Sequence, residues 1–312
     1  MSNFDPAYGY SLEQLLRIEP PPTPAGFAAF WQARYNRTME HHPAQRLTRC
    51  GPIHPDFECY DLCYRSTDGF EIGGWALIPK HGPVRRGVIV GHGYGGRDAP
   101  DFNLPIPDAA FLFPCFRGLS RSRRYPISDN PDYHVLHNIN DRNRYILGGC
   151  VEDLWLAVST MQRLFPETAG HLAYLGISFG GGIGALALPW DHRIQRAHFN
   201  VPSFGHHPLR LQLPSRGSAA SVQNYQREHG HTLETLSYYD AAVAALNIRI
   251  PVHVAAALAD PVVAPPGQFS IYNALPRGKK LFLLDMGHSA YPRQAAQEKA
   301  LLSELQDFFS DL

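Results

Sequence analysis

The strongest chemical statement in the 312 residues is one short run, Gly176-Ile177-Ser178-Phe179-Gly180. A serine hydroxyl is a poor nucleophile unless it stands free on a sharp turn beside a base, and flanking glycines leave room for that crowded backbone. The apolar run LAYL precedes this G-x-S-x-G and GGGIGALAL follows its serine, giving the strand and helix the motif needs. The competing reading is a glycine-rich turn without a nucleophile, or one cradling a phosphate at the helix N-terminus. A Walker-type loop would carry Gly-Lys-Ser/Thr, and the sequence has none.

An attacking serine needs a base and the base an orienting acid, in the chain order Ser, Asp or Glu, His for a nucleophile on such a turn. His288 follows the last apolar run, KLFLL, and Asp260 closes the preceding one, VHVAAALAD. Asp285 is the rival acid, nearer in sequence to His288. Asp260 is preferred because the triad takes its acid from a neighbouring strand's end and its base from the following loop. Negative charge on the attacked carbonyl calls for two aimed N–H groups, each worth roughly 3 kcal/mol of barrier. Phe179 supplies one and Tyr94, in His92-Gly93-Tyr94-Gly95-Gly96 after GVIV, the other. His92 reads as a satisfied polar residue at a strand end, and Arg117 as a brace for loops. His41, His42, His206, His207, His229 and His231 read as surface residues, and Arg121, Arg123 and Arg124 as a solvated face. Cys59 and Cys63 have no second pair of matching spacing, so neither a metal nor any cofactor is called for.

These residues must be carried by strands. Short, continuously apolar runs at 87–93, 109–115, 172–178, 197–201, 252–260 and 280–288 have the character of strands buried on both faces of a mostly parallel sheet. A hairpin over 57–79, turning at Thr67-Asp68-Gly69, opens the sheet with two antiparallel strands. Amphipathic helices lie between several runs: one through Val151, Leu154, Trp155, Val158 and Leu164, one after Ser178, and a last one with Ala296, Ala300, Leu305 and Phe309. The fold class is therefore α/β, a doubly wound sheet with helices on both faces. Residues 1–312 are read as one domain, with an N-terminal docking helix at about 23–38, started by Thr23-Pro24 and facing inward through Phe27, Phe30, Trp31 and Tyr35. The crossover from Tyr94 to Ala109 shows no helical period. Residues 202–240, long, polar and aromatic, are placed as a lid or specificity insert.

Lys plus Arg equals Asp plus Glu, 28 against 28, so no overall field favours nucleic acid or an anionic membrane, and the partner expected is a small-molecule acyl ester. No stretch has the roughly 18 apolar residues of a membrane span, and MSNFDPAYGYSLEQLL lacks the basic-then-apolar order of a secretory leader, which predicts a cytoplasmic protein. The five irregularly spaced cysteines fit reduced thiols.

With these residues in order, the chain resembles the acetyl xylan esterase and cephalosporin-C deacetylase group, carbohydrate esterase family seven of the α/β-hydrolase fold. The resemblance runs through FAAFWQARY, HGYGG, Arg117-Gly118, GGCVEDLWLAV, GISFGGG, ETLSYYD, ALADPVVAPPGQFSIYNAL and GHS. It implies Ser178 as nucleophile, His288 as base, Asp260 as orienting acid and the amides of Tyr94 and Phe179 as the oxyanion hole. It also implies a homo-oligomer, a hexamer with active sites facing an internal chamber. Three positions depart from the family: Leu119 and Phe179 stand where glutamine is usual, and Ser289 where glutamate is. The phenyl ring of Phe179 is expected to make the pocket drier and narrower.

The sequence thus predicts a serine carboxylesterase that removes short acyl groups, acetyl above all, from a sugar or cephalosporin-like alcohol. Its activity should rise through one ionisation at roughly pH 6 to 7, the ordinary range of histidine. A peptidase or acyltransferase of the same fold, or a non-catalytic ligand-binding relative, are the alternatives.

Overall fold

The computed structural model describes residues 4–51, 53–276 and 278–312, so the first three residues of the start read above lie outside it. Nine strands form one sheet: β1 (Arg46–Arg49), β2 (Phe57–Arg65), β3 (Glu71–Pro79), β4 (Arg86–Gly91), β5 (Ala109–Pro114), β6 (Leu172–Ile177), β7 (Arg196–Asn200), β8 (Val252–Ala257) and β9 (Lys279–Leu284). Their order is β1-β2-β3-β5-β4-β6-β7-β8-β9. The pairs β1·β2, β2·β3 and β3·β5 are antiparallel, and every pair from β5·β4 to β8·β9 is parallel. The fold is an α/β-hydrolase-type mixed sheet. β4, β5 and β8 are buried along almost their whole length, as continuous apolar runs require, and separate two cores. One core gathers Trp31, Trp155, Phe179 and Tyr239. The other gathers Val88, Val90, Phe111, Leu305 and Phe308.

Three antiparallel strands open the sheet, where the sequence reading had two. The extra one, Arg-Leu-Thr-Arg, is an exposed edge and carries no apolar run to announce it. The hairpin turns on Asp68 and Gly69, both at positive φ (55° and 67°), as a tight right-twisted connection demands. The N-terminal helix spans Phe27–Met39 and starts three residues after Pro24, because Gly26 at φ 75° forms its N-cap. The Tyr94–Ala109 crossover has no helix. The 202–240 segment, in contrast, is mostly helical, with helices at His207–Gln212, Ser218–His229 and Thr232–Leu236. Asp240 ties its ends together, its carboxylate accepting from the amides of His206 (3.0 Å), His207 (2.6 Å) and Ala242 (3.0 Å).

One surface expectation changes and another gains detail. His207 is buried, with its Nε2–H donating to the Tyr239 carbonyl at 3.1 Å. The arginines of the 121–124 run are tied down as well as solvated. Arg121 pairs with Asp61 and stacks 3.9 Å over Trp75, Arg123 pairs with Asp129, and Arg124 donates to the Gly69 carbonyl.

Candidate active site

β6 ends at Ile177 and helix Phe179–Ala187 begins two residues later, leaving Ser178 alone on the turn at φ 52°, ψ −111°. A non-glycine residue holds such a backbone at a cost of roughly 1–3 kcal/mol, repaid by contacts on every side. The Ser178 amide donates to Asn200 O at 2.8 Å, and its carbonyl accepts from Gly182 and Ser203, both at 3.0 Å. The glycines are there for space: a Cβ on Gly176 would lie 2.5 Å from the Gly180 carbonyl oxygen, and one on Gly180 would lie 2.7 Å from the Gly91 carbonyl.

His288 follows β9, itself at φ 52°, and its ring meets the turn. The Ser178 hydroxyl donates to Nε2 at 2.8 Å, while Nδ1–H donates to Asp260 Oδ2 at 2.7 Å. That direction follows from chemistry, since an ionised carboxylate only accepts and a neutral imidazole has one N–H to give. Asp260 is fully buried and fixed by the amides of Val262 (2.8 Å) and Val263 (2.9 Å) and by Gln268 Nε2 (3.0 Å). Asp285, the rival acid, pairs instead with Arg293 near the surface, at 2.6 and 2.8 Å. The structure therefore brings Ser178, His288 and Asp260 into one relay and leaves Asp285 outside it.

Tyr94 and Phe179 flank the Ser178 turn. Phe179 occupies the first helical position, where an amide has no partner within its helix. Among the described residues, neither its N–H nor that of Tyr94 donates to a backbone or side-chain acceptor outside regular elements. The Phe179 ring does not dry and narrow a pocket as expected. It is wholly buried, 4.3 Å from the Tyr94 ring and 5.5 Å from Phe116 between centroids, so it props the Tyr94 loop from beneath.

Buried histidines hold that loop. His92 Nδ1–H donates to the Gly93 carbonyl at 2.6 Å and Nε2 accepts from the Phe116 amide at 3.0 Å, a set only a neutral ring can make. Burial pushes its pKa down to about 4. His134, likewise pushed down to about 4 by burial, donates from Nε2 to the Arg117 carbonyl (2.9 Å) and accepts at Nδ1 from the Tyr94 hydroxyl (2.9 Å). The Arg117 side chain spreads over Asp153 (2.7 Å), Thr67 (2.7 Å) and Ser66 (3.1 Å), bracing the hairpin turn against helix Ile146–Leu164.

Several contributors escaped sequence reasoning because only the fold brings them here. Ser203, just past β7, places its hydroxyl 3.4 Å from that of Ser178. Pro6 accepts from the Asp260 amide at 2.9 Å, and Ser215 and Arg216 of the insert bond the carbonyls of Val262 and Pro261. Gln268 could have been suspected only from its place as the fourth residue of the helix begun by Pro265-Pro266. Beside the relay, His288 edges a cavity of about 410 Å³ shared with Asn200, Met286, Ser289 and Tyr291. Among the described residues no three metal-ligating side chains lie together. Cys59 lies instead 3.5 Å, sulfur to sulfur, from Cys50.

A family model described as acetyl xylan esterase (AXE1) matches residues 6–305. This chain belongs to the acetyl xylan esterase family. Its fold is similar to that of an acetyl xylan esterase from Paenibacillus sp. R4, with a TM-score of 0.82 and 25% identity over 95% of this chain and 99% of that one. Acetyl xylan esterase 1 from Thermoanaerobacterium sp. JW/SL YS485 gives 0.83 at 20% identity, covering 97% and 99%. An acylaminoacyl peptidase from Pyrococcus horikoshii is similar more distantly, at 0.62 and 16% identity over 82% of this chain and 42% of that chain. Membership of the esterase family makes the protein an ester hydrolase.

Proposed function

We propose that the protein is a serine carboxylesterase that hydrolyses short-chain, acetyl-type esters of carbohydrate or cephalosporin-like alcohols through an acyl-enzyme. The observation that carries the reading is the continuous relay from the Ser178 hydroxyl through His288 to buried Asp260. Ser178 Oγ forms a bond to the ester carbonyl carbon as its proton passes to His288 Nε2. Charge gathers on the carbonyl oxygen, for which the amides of Tyr94 and Phe179 are the candidate donors. Collapse breaks the bond to the alkoxy oxygen, which leaves with the proton from His288. Water then attacks the acyl carbon as His288 takes its proton, the bond from that carbon to Ser178 Oγ breaks, and His288 returns the proton to Oγ as the free acid leaves. Asp260 stays ionised throughout and holds the ring in the tautomer that accepts from Ser178.

The cavity beside His288, at about 410 Å³, falls in the size range of small-molecule sites and suits the alcohol half of such an ester. The same reading carries a cytoplasmic homo-oligomer, six copies by family resemblance, with the 202–240 segment as its specificity insert. Light scattering on the purified protein measures the copy number. The reading itself is tested with p-nitrophenyl esters from acetate to octanoate. Acetate should lead, activity should fall with chain length, and Ser178→Ala should lower kcat by about 10⁴-fold or more. Equal turnover by wild type and Ser178→Ala would refute it.

A further inference from the structure

Ser203 is a buried hydroxyl whose one side-chain partner among the described residues is the Ser178 oxygen, at 3.4 Å. That distance marks a weak bond, while the proton of Ser178 is already directed to His288 at 2.8 Å. The hydroxyl of Ser203 is thus left with hydrogen-bonding capacity next to the atom that becomes acylated. Its position is expensive to hold. Val201, Phe204 and His206 all lie at positive φ (42°, 70° and 54°), and a β-branched residue such as Val201 rarely does. The segment is pinned nonetheless, through Val201 N to Ala255 O (2.8 Å), Ser203 N to Ser178 O (3.0 Å) and Ala241 N to Phe204 O (2.9 Å).

The chemistry of the attack says what Ser203 faces. Of the four groups on the tetrahedral carbon, one is Ser178 Oγ, the oxyanion turns to the Tyr94 and Phe179 amides, and the departing oxygen must lie within reach of His288. The remaining direction belongs to the acyl substituent. Across the sheet the Tyr94 loop follows β4, Ser178 follows β6 and Ser203 follows β7, so Ser203 stands on the side of the nucleophile away from the hole. The residues that follow it, Phe204 and Gly205, wall with Val262 and Val263 a cavity of about 20 Å³, room for little more than one water.

We infer that Ser203 is a specificity residue for the acyl half of the substrate, hydrogen-bonding a polar atom on the carbon next to the carbonyl, so that 2-hydroxyacyl esters are favoured over alkyl acyl esters of equal size. This rests on the esterase reading above and deepens it. A site that bonds a substrate hydroxyl discriminates against the analogue lacking it.

The test compares p-nitrophenyl glycolate with p-nitrophenyl propionate, in which a methyl replaces the hydroxyl. Taking the ratio of kcat/KM values in each protein removes the intrinsic reactivity difference between the esters. Ser203→Ala should lower the glycolate-to-propionate ratio by about 3- to 10-fold, the worth of one neutral hydrogen bond. Ser203→Thr, which keeps the hydroxyl, should restore the ratio, and Ser203→Cys, a comparable volume with a weak donor, supplies the result if the alanine variant does not fold. A ratio unchanged in the variants, or equal losses on both esters, overturns the inference while the esterase reading stands. A wild type that hydrolyses no ester and takes no phosphonate on Ser178 removes the esterase reading, and this inference with it.

Discussion

Acid should unfold this protein earlier than its balanced charge suggests, because it buries neutral imidazoles. Burial holds the pKa of His92 and His134 down at about 4 and that of His198 and His207 down at about 3. In the unfolded chain each titrates near the ordinary 6.5. Between pH 6.5 and the folded values only the unfolded state takes up the protons, so stability is full above pH 6.5 and is lost as the pH falls. At pH 5, about one and a half units below the unfolded pKa, each imidazole forfeits about 2 kcal/mol. Asp240 works the other way: burial raises it to about 6, so its protonation between pH 7 and 5 returns about 1 kcal/mol. A net loss of several kcal/mol is a large share of the roughly 5–15 kcal/mol that holds a folded protein together. Urea titrations at pH 7 and pH 5 measure it. The His92→Asn variant isolates one site, since an amide can donate to Gly93 and accept from Phe116 without titrating. Its loss between pH 7 and 5 should be smaller than the wild-type loss by about 2 kcal/mol. Equal losses in the two proteins would mean that the buried His92 imidazole does not drive the acid sensitivity.

Three further outcomes follow from the site. Arg117→Met leaves Asp153 buried without its guanidinium and should cost about 3–5 kcal/mol by chemical denaturation, and Arg117→Lys should not recover it because an ammonium cannot span Asp153, Thr67 and Ser66 together. Asp260→Asn should lower kcat on p-nitrophenyl acetate by about 10⁴-fold through the wrong imidazole tautomer, whereas Asp285→Asn, which touches only the surface contacts with Arg293 and Gln297, should leave kcat within about twofold. Gly180→Ala pushes a methyl against the Gly91 carbonyl and should lower kcat by about 10²-fold as the turn shifts, with the circular dichroism spectrum retained.

The sequence made the central strands and the three relay residues legible because both are written locally. Runs such as GVIV and LAYL are apolar on every residue, and His288 and Asp260 each follow such a run. What escaped was set by distance along the chain. The edge strand Arg46–Arg49 pairs with β2 through its backbone, and with Leu47 its one apolar side chain, half-buried between exposed polar neighbours, it carries no run to announce it. Helix Ser218–His229 buries only Ala219 and Val222, too few to imprint a period on a polar segment. The Phe179 ring could be placed next to the nucleophile from sequence, but whether it faced a pocket or the core depended on Tyr94 and Phe116, some 60 to 85 positions away. Ser203 and Pro6 reach the site only through the order of the strands and the path of the N-terminal segment.

The claim on which the rest depends is that Ser178 is the atom donor to the substrate carbonyl, activated by His288. The direct measurement is mass spectrometry of the protein after brief exposure to an aryl phosphonate ester, which forms a stable adduct with an activated serine. One adduct per chain is expected, located on the peptide carrying Ser178, abolished in Ser178→Ala and strongly slowed in His288→Ala. An adduct on another residue, or full ester hydrolysis by protein in which Ser178 remains unmodified, would contradict it.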